Sequence, residues 1–303
     1  MPVNLTDSII NFRRYLKRKN YSRCTVRDYM STLKAFALWV NVPIEEVDRA
    51  KMLSFIDHLL NRRLSPKSIN CYLDSLRSFY CYLEEEEKLE IENPVRRGYA
   101  LRLAKPLPRF LKDGEVEELF KGIESIRDRA IFYLMLRCGL RVEEVVNLHL
   151  DDLDFRRGRV VVKCGKGGKG RVVYMSSDAH SALVEYLRER PKTRAKALFL
   201  VDKGALRGKP ISVRGVQKRM ELYAKRSGLR ASCHQLRHTM ATQLLNADTD
   251  LVVVQDLLGH SRIATTQRYC RVSNLKVERD YYRAMELVVP RTSPGEHHGS
   301  LHG

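Results

Sequence analysis

Between residues 152 and 175 the chain changes its hydrophobic period. Three short segments, 152–155, 159–164 and 171–175, alternate or run apolar as strands do. A turn at Arg157 and Gly158 and a glycine-and-lysine run at 165–170 separate them. Connections this short join antiparallel neighbours, whereas a parallel pair needs a long crossover. Elsewhere the apolar residues recur at helical spacing. The chain is therefore restricted to a mainly helical fold carrying one small three-stranded antiparallel sheet. Its 303 residues, 44% of them hydrophobic, are enough for two domains with cores of their own.

Residues 5–90 read as four helices. Thr6 is the expected cap of the first, whose apolar face carries Ile9, Ile10, Phe12 and Leu16. Ser22 or Thr25 opens a second, with Tyr29, Leu33, Phe36 and Trp39 at helical spacing. A third covers 50–63. Ser65 followed by Pro66 is a helix start with proline at the first helical position, and Ile69, Leu73, Leu76, Tyr80 and Leu83 carry that helix to about Leu89. The acidic run 84–87 reads as a solvated helix end. Asn93 and Pro94 break the pattern, and the basic, proline-containing stretch after them reads as an interdomain linker.

The second domain begins near Phe110, with helices expected after Lys112, over 125–138, and from Arg141 onward. Beyond the sheet, helices are expected to resume from Ala179 and to dominate to about Leu287. The predicted division is a helical bundle at 1–95, a linker at 96–109, a mixed α+β domain at 110–290 and a disordered tail at 291–303.

Lys and Arg total 55 against 36 Asp and Glu, a formal charge of +19, which points to a polyanionic partner. The excess is uneven: residues 1–100 carry 17 basic and 13 acidic side chains, and the rest carry 38 and 23. No apolar run approaches the length of a membrane span, and no signal-peptide core or lipidation motif is present, so nucleic acid is the expected partner and no membrane is. The seven cysteines are an odd number with irregular spacing and no CxxC pair. That fits reduced, mostly buried thiols in a cytosolic protein.

The chemistry concentrates in residues 233–272. His234 and Arg237 are three apart, hence on one helix face, and Tyr269 follows His260 by nine residues, beyond a segment that can turn the chain. Two imidazoles, a guanidinium and a phenol suit a phosphodiester attacked by an oxygen nucleophile: the guanidinium neutralises charge at phosphorus, the imidazoles handle protons and the phenol attacks. His234 and His238 have an i, i+4 zinc spacing, but the intervening residues lack the glutamate of HExxH and include an arginine, which a metal would repel. The run 165–170 formally matches GxGxxG. It connects strand to strand and does not open a helix, so it reads as a lysine-tipped hairpin turn and not as a dinucleotide loop. Arg141 and Glu144, three apart, would by themselves be an ordinary surface pair.

Taken together, RCGLRVEEV, KCGKGGKGRVV, CHQLRHTMAT and LLGHSRIATTQRY resemble the tyrosine recombinase family, the integrases and Xer-type recombinases. The resemblance spans about residues 5–288 and is closer to the two-domain Xer-like subgroup, since no extra N-terminal arm-binding domain is present. It implies a SAM-like core-binding domain followed by a catalytic domain. By position, Tyr269 is the nucleophile that forms a 3′-phosphotyrosyl link. Arg141 and Arg237 clamp the phosphate, Lys169 is the general acid with Lys166 as its rival, His234 handles the tyrosine proton, His260 donates to the phosphate and Glu144 supports the cluster. Lys166, Arg171, Arg96, Arg97, Lys105 and Arg109 are the expected DNA-binding residues.

The same resemblance implies no metal and no cofactor, a tetramer on double-stranded recombination sites, an accessory activating protein, and a cytoplasmic, nucleoid-associated location. It also raises the prospect of a C-terminal helix at 275–289 packing into a neighbouring protomer. Type IB topoisomerase activity and architectural DNA binding by a non-catalytic protein are the alternatives.

Overall fold

The computed structural model describes residues 4–104, 108–163, 170–259 and residue 285, and the chain divides into two compact units, Met1–Lys105 and Pro106–Gly303. Each unit has its own buried core.

The first unit is built from α1 (Leu5–Arg18), α2 (Arg23–Trp39), α3 (Arg49–Asn61) and α4 (Pro66–Glu85). Asn4, not Thr6, caps α1: its side-chain oxygen accepts from the amides of Thr6 and Asp7. Ser22, Asp48 and Ser65 cap the other three in the same way. The apolar stripes meet in an aromatic-rich core, with Phe12 edge-on to Phe79 at 5.3 Å and Phe36 edge-on to Phe55 at 4.9 Å. Helix α4 ends at Glu85, short of the expected Leu89, and the acidic run beyond it is not simply solvated. Glu87 accepts from Ser8 and Tyr82, which ties the end of α4 to α1.

The basic stretch that reads as a linker is partly held on this unit. Arg77 donates to the carbonyls of Val95 and Arg96, Asn70 exchanges two hydrogen bonds with the backbone of Leu101, and Tyr99 and Leu101 pack on the core. Backbone polar groups near a core must find partners, and these side chains supply them.

The second unit centres on α6 (Ile126–Arg137), buried on most sides between α8 (Ser177–Glu189) and α10 (Cys233–Asn246). Helices α5 (Asp113–Lys121), α7 (Val142–Val146), α9 (Val213–Arg226) and α11 (Leu251–Leu258) complete its helical content. The sheet runs in the order β1 (Leu153–Asp154), β2 (Arg159–Val162), β3 (Arg171–Tyr174), all antiparallel, with Val160 opposite Val173 and Val162 opposite Arg171. All three strands are shorter than their apolar runs suggest. Val160, Val162 and Val173 face the core, while Val161, Val172 and Tyr174 face outward.

Between α8 and α9 the chain is not helical. The run Leu198, Phe199, Leu200 is fully buried and extended: Leu198 bridges to Leu148, and Phe199 and Val201 bond across to Ile211 and Lys209. A five-residue apolar run, 197–201, between Lys196 and Asp202 has too little length to show its period.

The cysteines also differ from the reading of mostly buried thiols. Cys138 and Cys233 are buried, but Cys24 and Cys71 lie exposed on the outer faces of α2 and α4. Among the described residues no helix is long and apolar enough to cross a membrane.

Candidate active site

The site is built around the turn from α6 into α7. Gly139 takes a left-handed conformation, φ +64°, and lets the chain reverse against α10 and α11. Any side chain here would collide, because a Cβ would lie 2.9 Å from Met240 Sδ and 3.0 Å from Leu258 Cδ2. Arg141 follows as the residue preceding the first turn of α7, in extended backbone geometry. Its amide donates to Glu144 Oε2 and its Nη1 to Glu144 Oε1, both at 2.8 Å. Glu144 is therefore no surface partner; its side chain is 3% exposed.

Arg171, at the start of β3, closes on the same carboxylate from the opposite side, donating from Nη1 to Oε1 and from Nη2 to Oε2, each at 2.8 Å. Burial by itself would raise the Glu144 carboxyl. The hydrogen bonds from Arg171 and the Arg141 amide, with the two guanidinium charges, outweigh it and hold the group at about 2. The carboxylate is thus a fixed anion between two arginines, and it orients both.

Arg237 projects from α10 into the interior and is 1% exposed. It donates through Nη1 to the carbonyl of Gly139 and through Nη2 to that of Leu258. Arg171 Nε reaches the neighbouring carbonyl of Leu257 at 2.8 Å. Carbonyls at a helix C-terminus carry partial negative charge and lack intrahelical donors, so two guanidiniums at the end of α11 are well matched to it. His234 is exposed on the first turn of α10, with its ring edge-on to His238 at 4.1 Å. The structure thus joins Arg141, Glu144, Arg171 and Arg237 through α7, β3 and the end of α11.

Two segments of the chain match family models: residues 9–87 match the phage integrase N-terminal SAM-like domain, and residues 109–275 match the phage integrase family. The chain belongs to the phage integrase family, whose matched relatives are tyrosine recombinases. It is 36% identical over 285 residues to the tyrosine recombinase XerC of Thermodesulfovibrio yellowstonii, covering 89% of this chain and 93% of that protein. It is 33% identical over 296 residues to XerC of Bacillus subtilis, covering 92% and 96%. In fold it resembles the XerH site-specific recombinase bound to a palindromic difH substrate, with a TM-score of 0.72 at 22% identity over 87% of this chain and 80% of that one.

Within this integrase-family chain, Lys166, Lys169, His260, Tyr269 and Lys105 lie outside the described residues, as do the C-terminal segment 275–289 and the tail. Their nearest described neighbours are informative. Gly170 and Arg171 directly follow the lysine-containing residues 164–169 in sequence, and Gly259, in a left-handed C-cap with φ +61°, immediately precedes His260. Arg96, Arg97 and Arg109 are exposed, the first two in the first unit and Arg109 in the second.

Arg171 is not on an open surface. Its side chain is 10% exposed and all three guanidinium nitrogens donate within the second unit. The signal for this was present: on a strand, Arg171 shares a face with Val173, and Val173 is core. Gly139 and Gly259 are structural requirements of the site that sequence reading passed over. Each lies inside a motif, Gly139 two residues before Arg141 in RCGLR and Gly259 immediately before His260 in LLGH.

Proposed function

We propose that this chain is a site-specific DNA recombinase that cuts and rejoins strands through a 3′-phosphotyrosyl intermediate. The observation that carries the reading is the Arg141–Glu144–Arg171 cluster, built on segments that match the family models and flanked by the positions leading to the lysine turn and to His260. A cluster of this kind presents a guanidinium at a set angle, which is what a phosphorane with charge on its non-bridging oxygens requires.

In this reading the Tyr269 oxygen attacks the scissile phosphorus as its proton passes to His234. The bond between phosphorus and the 5′ oxygen breaks, and Lys169, with Lys166 as rival, protonates the departing oxygen. The 3′ phosphate is left on the tyrosine. Arg141 and Arg237 stabilise the non-bridging oxygens, and His260 donates to one of them. A 5′-hydroxyl from a partner strand then attacks the phosphotyrosine and reverses the step, so the energy of the phosphodiester is conserved and no nucleotide is consumed.

The substrate is double-stranded DNA. Exchange between two duplexes needs four such sites, hence a tetramer on paired DNA, and an accessory protein is a natural point of control. The arginines at 96, 97 and 109 are exposed and suit contact with the phosphate backbone. Relaxation by swivelling and purely architectural binding are not favoured, because the relatives at 36% and 33% identity are tyrosine recombinases along most of their length.

The test is a DNA substrate nicked beside the scissile phosphate, so that cleavage traps the covalent adduct. Wild type should form a protein–DNA band resistant to denaturant, and Tyr269→Phe should form none. An undiminished adduct with Tyr269→Phe would move the nucleophile elsewhere, with Tyr281 and Tyr282 next to be examined.

A further inference from the structure

Arg171 stands where three parts of the site converge. It is the first residue of β3, directly after Gly170 and the lysine turn. Through Nη1 and Nη2 it holds both oxygens of Glu144, which in turn holds the backbone and side chain of Arg141. Through Nε it holds the carbonyl of Leu257 at the end of α11. Gly259, the residue before His260, lies flat against it: a Cβ there would be 3.0 Å from Arg171 Cδ and 3.2 Å from Nη1. The planar fork of a guanidinium can satisfy a carboxylate in bidentate fashion and still direct a third donor elsewhere; an ammonium cannot fix two directions at once.

We propose that Arg171 is a positioning residue for strand cleavage and not a DNA contact: it sets the start of β3, the Arg141 guanidinium and the end of α11 in a fixed relation. The inference rests on the recombinase reading above. It adds to that reading a residue that acts through Glu144 and the end of α11. Because Glu144 Oε1 accepts from Arg141 and Arg171 together, displacing Arg171 frees the carboxylate to rotate and carries the Arg141 side chain with it.

The experiment compares wild type, Arg171→Lys, Arg141→Lys and the double variant on the nicked substrate, with Tyr269→Phe as the adduct-free reference. DNA affinity is measured for each at several salt concentrations. For Arg171→Lys the expected result is a cleavage rate lowered by about 100-fold, the scale on which small misplacements act, with affinity and salt dependence within about twofold of wild type. In the Arg141→Lys background the added Arg171→Lys change should cost far less, because the two act through one carboxylate. A general structural role would give the same fold-loss in both backgrounds.

Cleavage by Arg171→Lys within about twofold of wild type overturns the proposal and leaves the recombinase reading intact. So does a loss explained by weaker binding with a salt slope lower by about one, the mark of a lost phosphate contact. If Arg171→Lys lacks a cooperative unfolding transition, Gly259→Ala takes its place. That variant keeps the ion pair but presses a methyl onto Arg171, and it should lower cleavage without lowering affinity. Unchanged cleavage in a folded Gly259→Ala protein overturns the proposal.

Discussion

Arg237 donates to the carbonyl of Gly139, two residues before Arg141, and to the carbonyl of Leu258, two residues before His260. One buried side chain on α10 thus ties together the approaches to two motif positions more than a hundred residues apart in sequence. The arrangement works only because the backbone at Gly139 comes close to α10 and α11, which a Cβ would prevent.

Gly139→Ala should therefore be costly. The substitution forces a side chain into a left-handed conformation, at roughly 1–2 kcal/mol, and against Met240 and Leu258 in a packed core, at about 1–3 kcal/mol more. Urea unfolding should show a stability loss of about 2–5 kcal/mol, with cleavage of the nicked substrate falling as the Arg237 anchor shifts. A loss below about 0.5 kcal/mol, the usual range for a surface change, would show that the turn relaxes freely.

Glu144 makes a prediction about acid. Its carboxyl sits at about 2 in the folded chain against the ordinary 4.5, so the folded state favours the ionised form. The stabilisation is fully present above the unfolded value and is lost as pH falls from about 4.5 to about 2. Glu144→Gln should lack this component, showing a shallower fall in unfolding free energy across that window. At neutral pH it should lose about 3–5 kcal/mol, since two guanidiniums are left facing a neutral amide in a buried site. Identical pH profiles for wild type and variant would contradict the arginine-clamped carboxylate.

A second buried charge cluster should matter for stability alone. Asp128, 1% exposed, accepts from Arg127 at 2.9 and 2.7 Å, from Arg219 at 2.5 Å and from Tyr223 at 3.0 Å, joining α6 to α9. Asp128→Asn leaves Arg219 without its anion and Arg127 with Asp202 alone, and should cost about 3–5 kcal/mol. Tyr223→Phe removes two hydrogen bonds, the one its hydroxyl donates to Asp128 and the one it accepts from Arg219, and should cost about 1–3 kcal/mol. Where Tyr223→Phe remains folded, its cleavage rate should match wild type, because the cluster touches neither Arg141 nor Glu144.

Much of this organisation is legible in the sequence because it is periodic. The four helices of the first unit announce themselves through Phe12, Phe36, Leu73 and Leu76 and through caps at Ser22 and Ser65, and the sheet through its alternating valines. What stays hidden is set by tertiary contact. Whether Arg141 and Glu144 form a surface pair or a buried clamp depends on Arg171, 27 residues from Glu144, which no local pattern connects to it. The extended run at Leu198 is too short to show a period, and its partners, Leu148 and Ile211, lie well away along the chain. Arg171 reads as a DNA contact because basic residues beside a lysine turn suggest one. Strand parity, which places it on the face of Val173, is the local clue that it turns inward.

Lys166 and Lys169, which lie between β2 and β3 in sequence, can be separated by the leaving group. An alkoxide departs only as a proton reaches it, so loss of the general acid should slow cleavage of normal DNA by about 100- to 10,000-fold. Sulfur in place of the bridging 5′ oxygen gives a thiolate, whose conjugate acid has a pKa of about 8.5, and that group departs without a proton. Lys169→Gln should therefore fail on the oxygen substrate and recover to near the wild-type rate on the sulfur substrate. Lys166→Gln should be slowed equally on both, because its remaining role is contact with DNA. If the recovery appears with Lys166→Gln and not with Lys169→Gln, the acid is Lys166. If neither variant recovers, the proton comes from neither lysine.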